Sequence, residues 1–231
     1  MHLHGRVQQI DELKYSTYQD LQQKRSAQKN FTRFTTDGLI SKSGIHMGAN
    51  DILWMKYNYK GDSIWIVESR EINSKNDYPQ AYWLYKVDPY GAQRAITSIL
   101  IDSSINFHID MEVNESGNAT EIIYSQQKHP SHLPCKINKV YDENGFIKEE
   151  FSYRYNDILE QCDEKPTHST FKINKHGHIE RENMTTYDGR KRVHSYHYEY
   201  DEQGNWIQRI HYTGDDAGEV ILRELTYYKY E

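Results

Sequence analysis

The stretch Tyr198-Glu199-Tyr200-Asp201-Glu202-Gln203-Gly204-Asn205-Trp206-Ile207 decides the fold of this chain. In it an aromatic residue, Tyr200, precedes an Asx-x-x-Gly tetrad. Asx at the first position of a type I turn caps its own backbone, and Gly at the last takes the left-handed conformation. Only Gly enters that region without a steric penalty, so the tetrad is a device for reversing a strand. The same device stands at Val113-Asn114-Glu115-Ser116-Gly117, Tyr141-Asp142-Glu143-Asn144-Gly145 and Ile173-Asn174-Lys175-His176-Gly177. Looser copies run from Phe34 to Gly38, Tyr57 to Gly61 and Val87 to Gly91. The anchor glycines Gly38, Gly61, Gly91, Gly117, Gly145, Gly177 and Gly204 are about 23 to 32 residues apart, one hairpin plus its connection. The chain reads as a β-hairpin array.

Side chains alternate across a sheet, so parity counted from each glycine assigns faces. Four residues before the glycine stand Phe34, Tyr57, Val87, Val113, Tyr141, Ile173 and Tyr200, all apolar or aromatic. Six before it stand Thr32, Met55, Tyr85, Met111, Lys139, Phe171 and Tyr198. These columns form one packed face. The opposite parity carries Arg33, Lys56, Lys86, Glu112, Val140, Lys172 and Glu199 and reads as solvated. Phe31, Trp54 and Leu84, seven before the first three glycines, fall on this polar side. There they are candidates for an exposed apolar stripe that binds a partner. The alternative is that the N-terminal segment folds back over them. That segment, Val7 to Asn30, reads as a strand followed by a polar loop or short helix from Gln19 to Lys29. Asn73 to Tyr78, Gln126 to Pro134 and Asn156 to His168 read as long connections.

At 231 residues with no Pro/Gly/Ser-rich linker, the chain is expected to be a single domain over 1–231. Its mean hydropathy of -0.94 would suit a disordered chain. The 20 tyrosines and the regular turns argue for a folded, thinly cored sheet instead. The fold class is all-β: an antiparallel meander of roughly 13 to 16 strands forming one curved sheet, an open trough or a large flattened barrel. A net charge of -6 with mixed signs works against a nucleic-acid backbone. No apolar run approaches a membrane span, and Met1-His2-Leu3-His4 carries no signal peptide. An intact cytosolic protein or a processed exported one would both start this way.

The tracts around Asp201 and Asp142 resemble the YD repeat of RHS-type bacterial proteins, Tyr-Asp-x-x-Gly-Asn/Arg followed by an aliphatic residue. The likeness is specific for those two repeats, fair around Gly117 and Gly177, and covers the C-terminal two-thirds. It implies repeats that are structural, wound into an antiparallel shell or trough without catalytic residues, and an exported bacterial protein. A weaker resemblance is to MORN-like antitoxin repeats, through the glycine-centred hairpins.

The chemistry-bearing residues form no catalytic constellation. Cys135 and Cys162 flank the fifth hairpin, where they are either bridged or two free thiols. His129 and His132, His176 and His178, and His194 and His197 lack a third ligand, so no metal is expected. Asp215-Asp216 lies in a glycine-flanked turn without a full calcium loop. The expected function is therefore non-enzymatic and without a cofactor: a protein-binding module, in its most concrete form an immunity protein that neutralises a secreted toxin. The alternative is an envelope module that binds glycan or lipid, with Trp65, Trp83 and Trp206 as stacking candidates. Either suits a periplasmic or envelope setting; a cytoplasmic one stays open. The turn residues Asn114, Gly117, Asp142, Gly145, Asn174, Gly177, Asp201 and Gly204 are expected to be structural.

Overall fold

The computed structural model describes residues 6–25, 27–48, 51–60, 63–72, 75–87, 93–100, 105–126, 134–156 and 161–229. The first strand, β1 (Val7–Tyr15), runs into a one-turn helix, α1 (Tyr18–Gln22), capped by the Thr17 hydroxyl. There follow β2 (Gln28–Phe34), β3 (Ile40–Gly48), β4 (Asp51–Lys60), β5 (Ser63–Ile72), β6 (Lys75–Val87) and β7 (Gln93–Leu100). Next come β8 (Ile105–Val113), β9 (Ala119–Gln126), β10 (Pro134–Tyr141), β11 (Ile147–Asn156), β12 (Gln161–Cys162) and β13 (Thr167–Ile173). The last are β14 (Ile179–Thr185), β15 (Lys191–Tyr200), β16 (Trp206–Thr213) and β17 (Asp216–Tyr227). The described strands belong to one antiparallel meander, and the all-β class follows from it. Two expected connections are shorter than read: β6 takes in Lys75 to Tyr78, and β12 interrupts the segment after Asn156.

Among the described residues six turns share one hydrogen-bond pattern, which explains why the repeat reverses the chain. At Asp142 the backbone amide donates to Phe146 O (2.8 Å), and Gly145 N donates back to Asp142 O (3.0 Å). The Asp142 carboxylate accepts from Asn144 N and Phe146 N, both at 2.9 Å. Asn114, Asn174 and Asp201 repeat this pattern. Thr35 builds the first copy, its hydroxyl accepting from Leu39 N, and a further copy without a leading Asx stands at Thr186-Tyr187-Asp188-Gly189, where the Thr186 hydroxyl donates to Arg190 O. The glycines Gly38, Gly117, Gly145, Gly177, Gly189 and Gly204 all sit at φ between 80° and 85°. Gly61 and Gly91 lie outside the described residues.

Beside each of these turns whose register is described, the returning strand carries one extra residue. Phe34 pairs with Ile40 while Arg33 pairs with Lys42, and Tyr141 pairs with Ile147 while Val140 pairs with Glu149. The shift recurs between Glu112 and Val113 and between Lys172 and Ile173. This is the bulge that follows a type I turn ending in a left-handed residue. The bulged Ser41 and Thr120 donate their hydroxyls to the carbonyls of Arg33 and Glu112 opposite.

Two compact units divide the chain. The first comprises Met1–Asn58, Val67–Gln80 and Ser195–Glu231. Within it the last strand pairs with the first: Tyr227 lies opposite Val7, Arg223 opposite Glu12 and Val220 opposite Tyr15. β1 also pairs with β2, so both of its edges are hydrogen-bonded. Val7, Ile10 and Phe34 form the apolar nucleus of this unit, packed by Ile40, Leu225 and Tyr227.

The second unit comprises Tyr59–Ile66 and Ala81–His194. There β6 to β11 and then β13 and β14 pair in chain order. Cys135 and Cys162 are bridged, with their Cα atoms 5.9 Å apart, within the usual span of a disulfide. The bridge ties β12, which pairs with β11 at Tyr155, back to the start of β10. Across the described side chains Arg33, Lys56, Glu112, Val140, Lys172 and Glu199 are exposed, and the columns on either side are buried or half-buried.

Two stability predictions follow from these contacts. Gly38→Ala meets no neighbour, whereas a Cβ at Gly177 would stand 2.9 Å from Phe146 Cε1. Gly38→Ala should cost about 1–2 kcal/mol from backbone strain alone, and Gly177→Ala more, as read by urea denaturation of the two variants side by side. Opening the bridge with Cys135→Ser plus Cys162→Ser frees a loop of sequence separation 27. On the chain-entropy estimate that lowers stability by about 3.5 kcal/mol, and the same denaturation assay reads it.

Candidate functional site

The first unit gathers charge and aromatic rings on one face where β15, β16, β17 and β1 run side by side. Alternation sets the face. Tyr196 and Tyr198 stand two apart on β15, Arg209 and His211 on β16, and Glu12 and Lys14 on β1. Register then aligns them: Arg209 and Lys14 both lie opposite Ile221, and Glu12 lies opposite Arg223 one position along the same face.

Arg223 is the buried member, with its side chain 7% exposed. Its Nε donates to Glu12 Oε1 at 2.6 Å, and its guanidinium carbon lies 3.2 Å from the centroid of the Trp206 ring. Glu219 takes a cation on each oxygen, Arg209 Nη2 at 2.8 Å on Oε1 and Lys14 Nζ at 2.5 Å on Oε2. Arg209 sits between two rings, 5.7 Å from the centroid of Tyr196 and 5.8 Å from that of Trp206. Its Nε is buried and has no acceptor. Tyr196 in turn stacks on His211 at 4.9 Å, and Tyr198 meets the edge of Trp206 at 6.1 Å.

The protonation states follow from this arrangement. Burial works to raise Glu219, but hydrogen bonds from Lys14 and Arg209 and their charges hold it below the usual carboxylate range. Burial lowers Arg223 and Glu12 opposes it; a guanidinium stays charged through such a shift. Tyr198 is pushed up to about 12 by burial, with the cations Arg209 and Arg223 pulling against its neighbours Tyr200 and Tyr196. The face is ionic, with neutral phenols.

Beside it, the Asp201 turn is clamped to the C-terminal strand. Tyr227 Oη donates to Asp201 Oδ2 at 2.5 Å, and Asn205 Nδ2 donates to Tyr227 Oη at 2.8 Å. Burial and the Asp201 hydrogen bond push Tyr227 up to about 12. The Asn that follows the turn glycine, 2% exposed, thus links the hairpin tip to β17.

The residues expected to bind a partner take a different form. Phe31, Gly44 and Trp54 share one cross-strand row, Phe31 opposite Gly44 and Gly44 opposite Trp54. Trp54 is only 7% exposed, and Lys42 Nζ lies 4.0 Å over its ring. Phe31 is half-buried and leans over the glycine, since a Cβ there would stand 2.6 Å from its ring. An exposed stripe therefore does not run through Trp54: a glycine between two aromatics lets the ring of Phe31 lie down on the sheet. The side chain of Leu84 lies outside the described residues, as do those of Trp65 and Trp83.

Trp206, read as a stacking platform, is 8% exposed beneath Arg223. His129 and His132 lie outside the described residues, and among those described no group of three His, Cys, Asp or Glu could hold a metal. Asp215 belongs to a two-residue loop, Gly214-Asp215, that closes the β16–β17 hairpin where Thr213 pairs with Asp216. Arg209, Arg223, Glu12, Glu219 and Lys14 were not singled out from sequence. Charges sharing a face with Tyr196, Tyr198 and Trp206 were the signal.

No protein-family model and no curated protein matches this chain. Two solved structures share its fold at low identity. A porin-like protein from Bacteroides uniformis ATCC 8492 aligns with TM-score 0.61 and 9% identity, covering 97% of this chain and 98% of that one. A porin-like protein from Bacteroides vulgatus ATCC 8482 aligns with TM-score 0.59 and 13% identity, covering 97% and 99%. The likeness is one of architecture along the whole length.

Tyr198 and Tyr227 have raised pKa values, so the folded chain holds their protons where the unfolded chain has lost them. Their contribution is fully present below pH 10 and is lost as pH rises through about 12. Stability measured by denaturation should fall across that window, and Tyr198→Phe should flatten the fall.

Proposed function

We propose that this chain is a non-catalytic binding module of an oxidising compartment, the cell envelope, and that its ligand is a glycan. The observation that carries the reading is the half-buried row of Arg209, Tyr196 and Tyr198, packed on the buried Arg223 and Trp206. Rings combined with fixed guanidinium donors are the groups that orient a polar, ring-shaped ligand. The Cys135–Cys162 bridge supports the compartment, because such bonds persist where thiols are kept oxidised. The YD-like turns fit an exported repeat protein, in line with the resemblance read from the sequence.

Pore formation, which the description of the two structural neighbours invites, fits the described strands poorly. A strand crossing a bilayer turns an apolar band to lipid. Here the exposed positions of β13, β14 and β15 include the charged Lys172, Arg181, Lys191, Arg192 and Glu199, and Lys172 pairs with Glu180 at 3.1 Å. The immunity reading calls for an exposed apolar stripe of Phe31, Trp54 and Leu84; Trp54 is 7% exposed, and the side chain of Leu84 lies outside the described residues.

Titration of the folded chain against a panel of envelope glycans, read by calorimetry and tryptophan fluorescence, should give saturable binding that is lost on unfolding. Binding to lipid vesicles alone would replace glycan with lipid. A stoichiometric protein recovered on the immobilised chain, with no glycan binding, would restore the immunity reading.

A further inference from the structure

Resting on that binding reading, we propose that the Arg209–Arg223 face is a recognition site for the carboxylate of an acidic sugar. Arg209, Arg223 and Lys14 face Glu12 and Glu219, three cations against two carboxylates. One positive charge is left over on a half-buried face of a chain whose net charge is -6. That single excess charge matches a carboxylate, and a phosphate dianion would overcompensate it. Arg209, which holds Glu219 at 2.8 Å and is 28% exposed, is the guanidinium open to a ligand carboxylate; Arg223, 7% exposed, is engaged by Glu12 and Trp206.

The donor inventory points the same way. A guanidinium has five N–H groups in a fixed fork. Arg209 commits Nη2 to Glu219, while its buried Nε has no acceptor. An unmatched buried donor is costly, and the Arg209 side chain, 28% exposed, presents its fork to a ligand oxygen from the solvent side. Lys14, with its side chain 40% exposed, is the most open of the charged groups and marks the approach. Tyr196 and Tyr198 stand beside the guanidiniums and offer rings to the apolar face of a sugar.

Calorimetric titration of the full, disulfide-bonded chain with oligogalacturonate and with neutral galactose oligomers tests the assignment. Saturable binding of the acidic oligomer, with the neutral one at least tenfold weaker, is expected. Arg209→Lys keeps the charge but loses the Nε donor, and Arg209→Gln loses both. Both variants should raise Kd at least about tenfold with Tm retained, whereas the exposed Lys172→Gln should leave Kd unchanged. Equal binding of both oligomers, or variants that bind like the parent, would overturn the carboxylate site and leave the glycan-binding reading standing. Failure of both oligomers and of the whole glycan panel would remove both.

Discussion

The left-handed glycine at the end of each four-residue turn is the constraint on which the rest of this molecule depends. An L-residue with a side chain pays about 1–2 kcal/mol in that conformation, and the turn needs it once per hairpin. Asn or Asp at the first position accepts the turn amides, as Thr35 does for Leu39 N, and the bulge that follows adds one residue to the returning strand. That extra residue fixes register, because a slip by one would swap the two faces of every strand. Since only local hydrogen bonds set this geometry, each hairpin can form from its own sequence.

What local turns cannot do is join the ends of the array. The pairing of β1 with β17 brings together residues more than two hundred positions apart, and it does so with a mixture of apolar and ionic rows. Ile10 opposite Leu225 belongs to the apolar nucleus; Glu12 opposite Arg223 is an ion pair beneath little solvent. Removing one partner of such a pair leaves an uncompensated charge, so the pair penalises alternative registers more than it stabilises the right one. The ionic face is thus also a register device for the strands whose pairing no turn specifies.

The fold class was legible because the repeat is periodic in both turn and face. Exposed Arg33, Lys56, Glu112, Lys172 and Glu199 occupy the parity assigned to solvent. Thr186 to Gly189 escaped because Thr, not Asx, stands first and its hydroxyl donates to Arg190 O, while the backbone bonds stay the same. The site was far less legible. Single-strand parity placed Trp54 on the polar side but could not say that Gly44 in the neighbouring strand gives Phe31 room to lie flat. Nor could it align Arg209 with Lys14, since that row depends on β17 lying between β16 and β1.

The core is thin, and that bears on why polar groups are retained inside. Few apolar side chains are fully buried, among them Ile10 and Val220, while Ser69, Ser169 and Asn205 are buried as well. A sheet face filled with tyrosines, arginines and glutamates gains less from burial than an aliphatic one and asks that each polar group find a partner. Most do: Ser169 donates to Glu182 at 2.6 Å, and Asn205 to Tyr227. Arg209 Nε does not. In a thin sheet of this kind each such atom is a cost that the packing around it must carry.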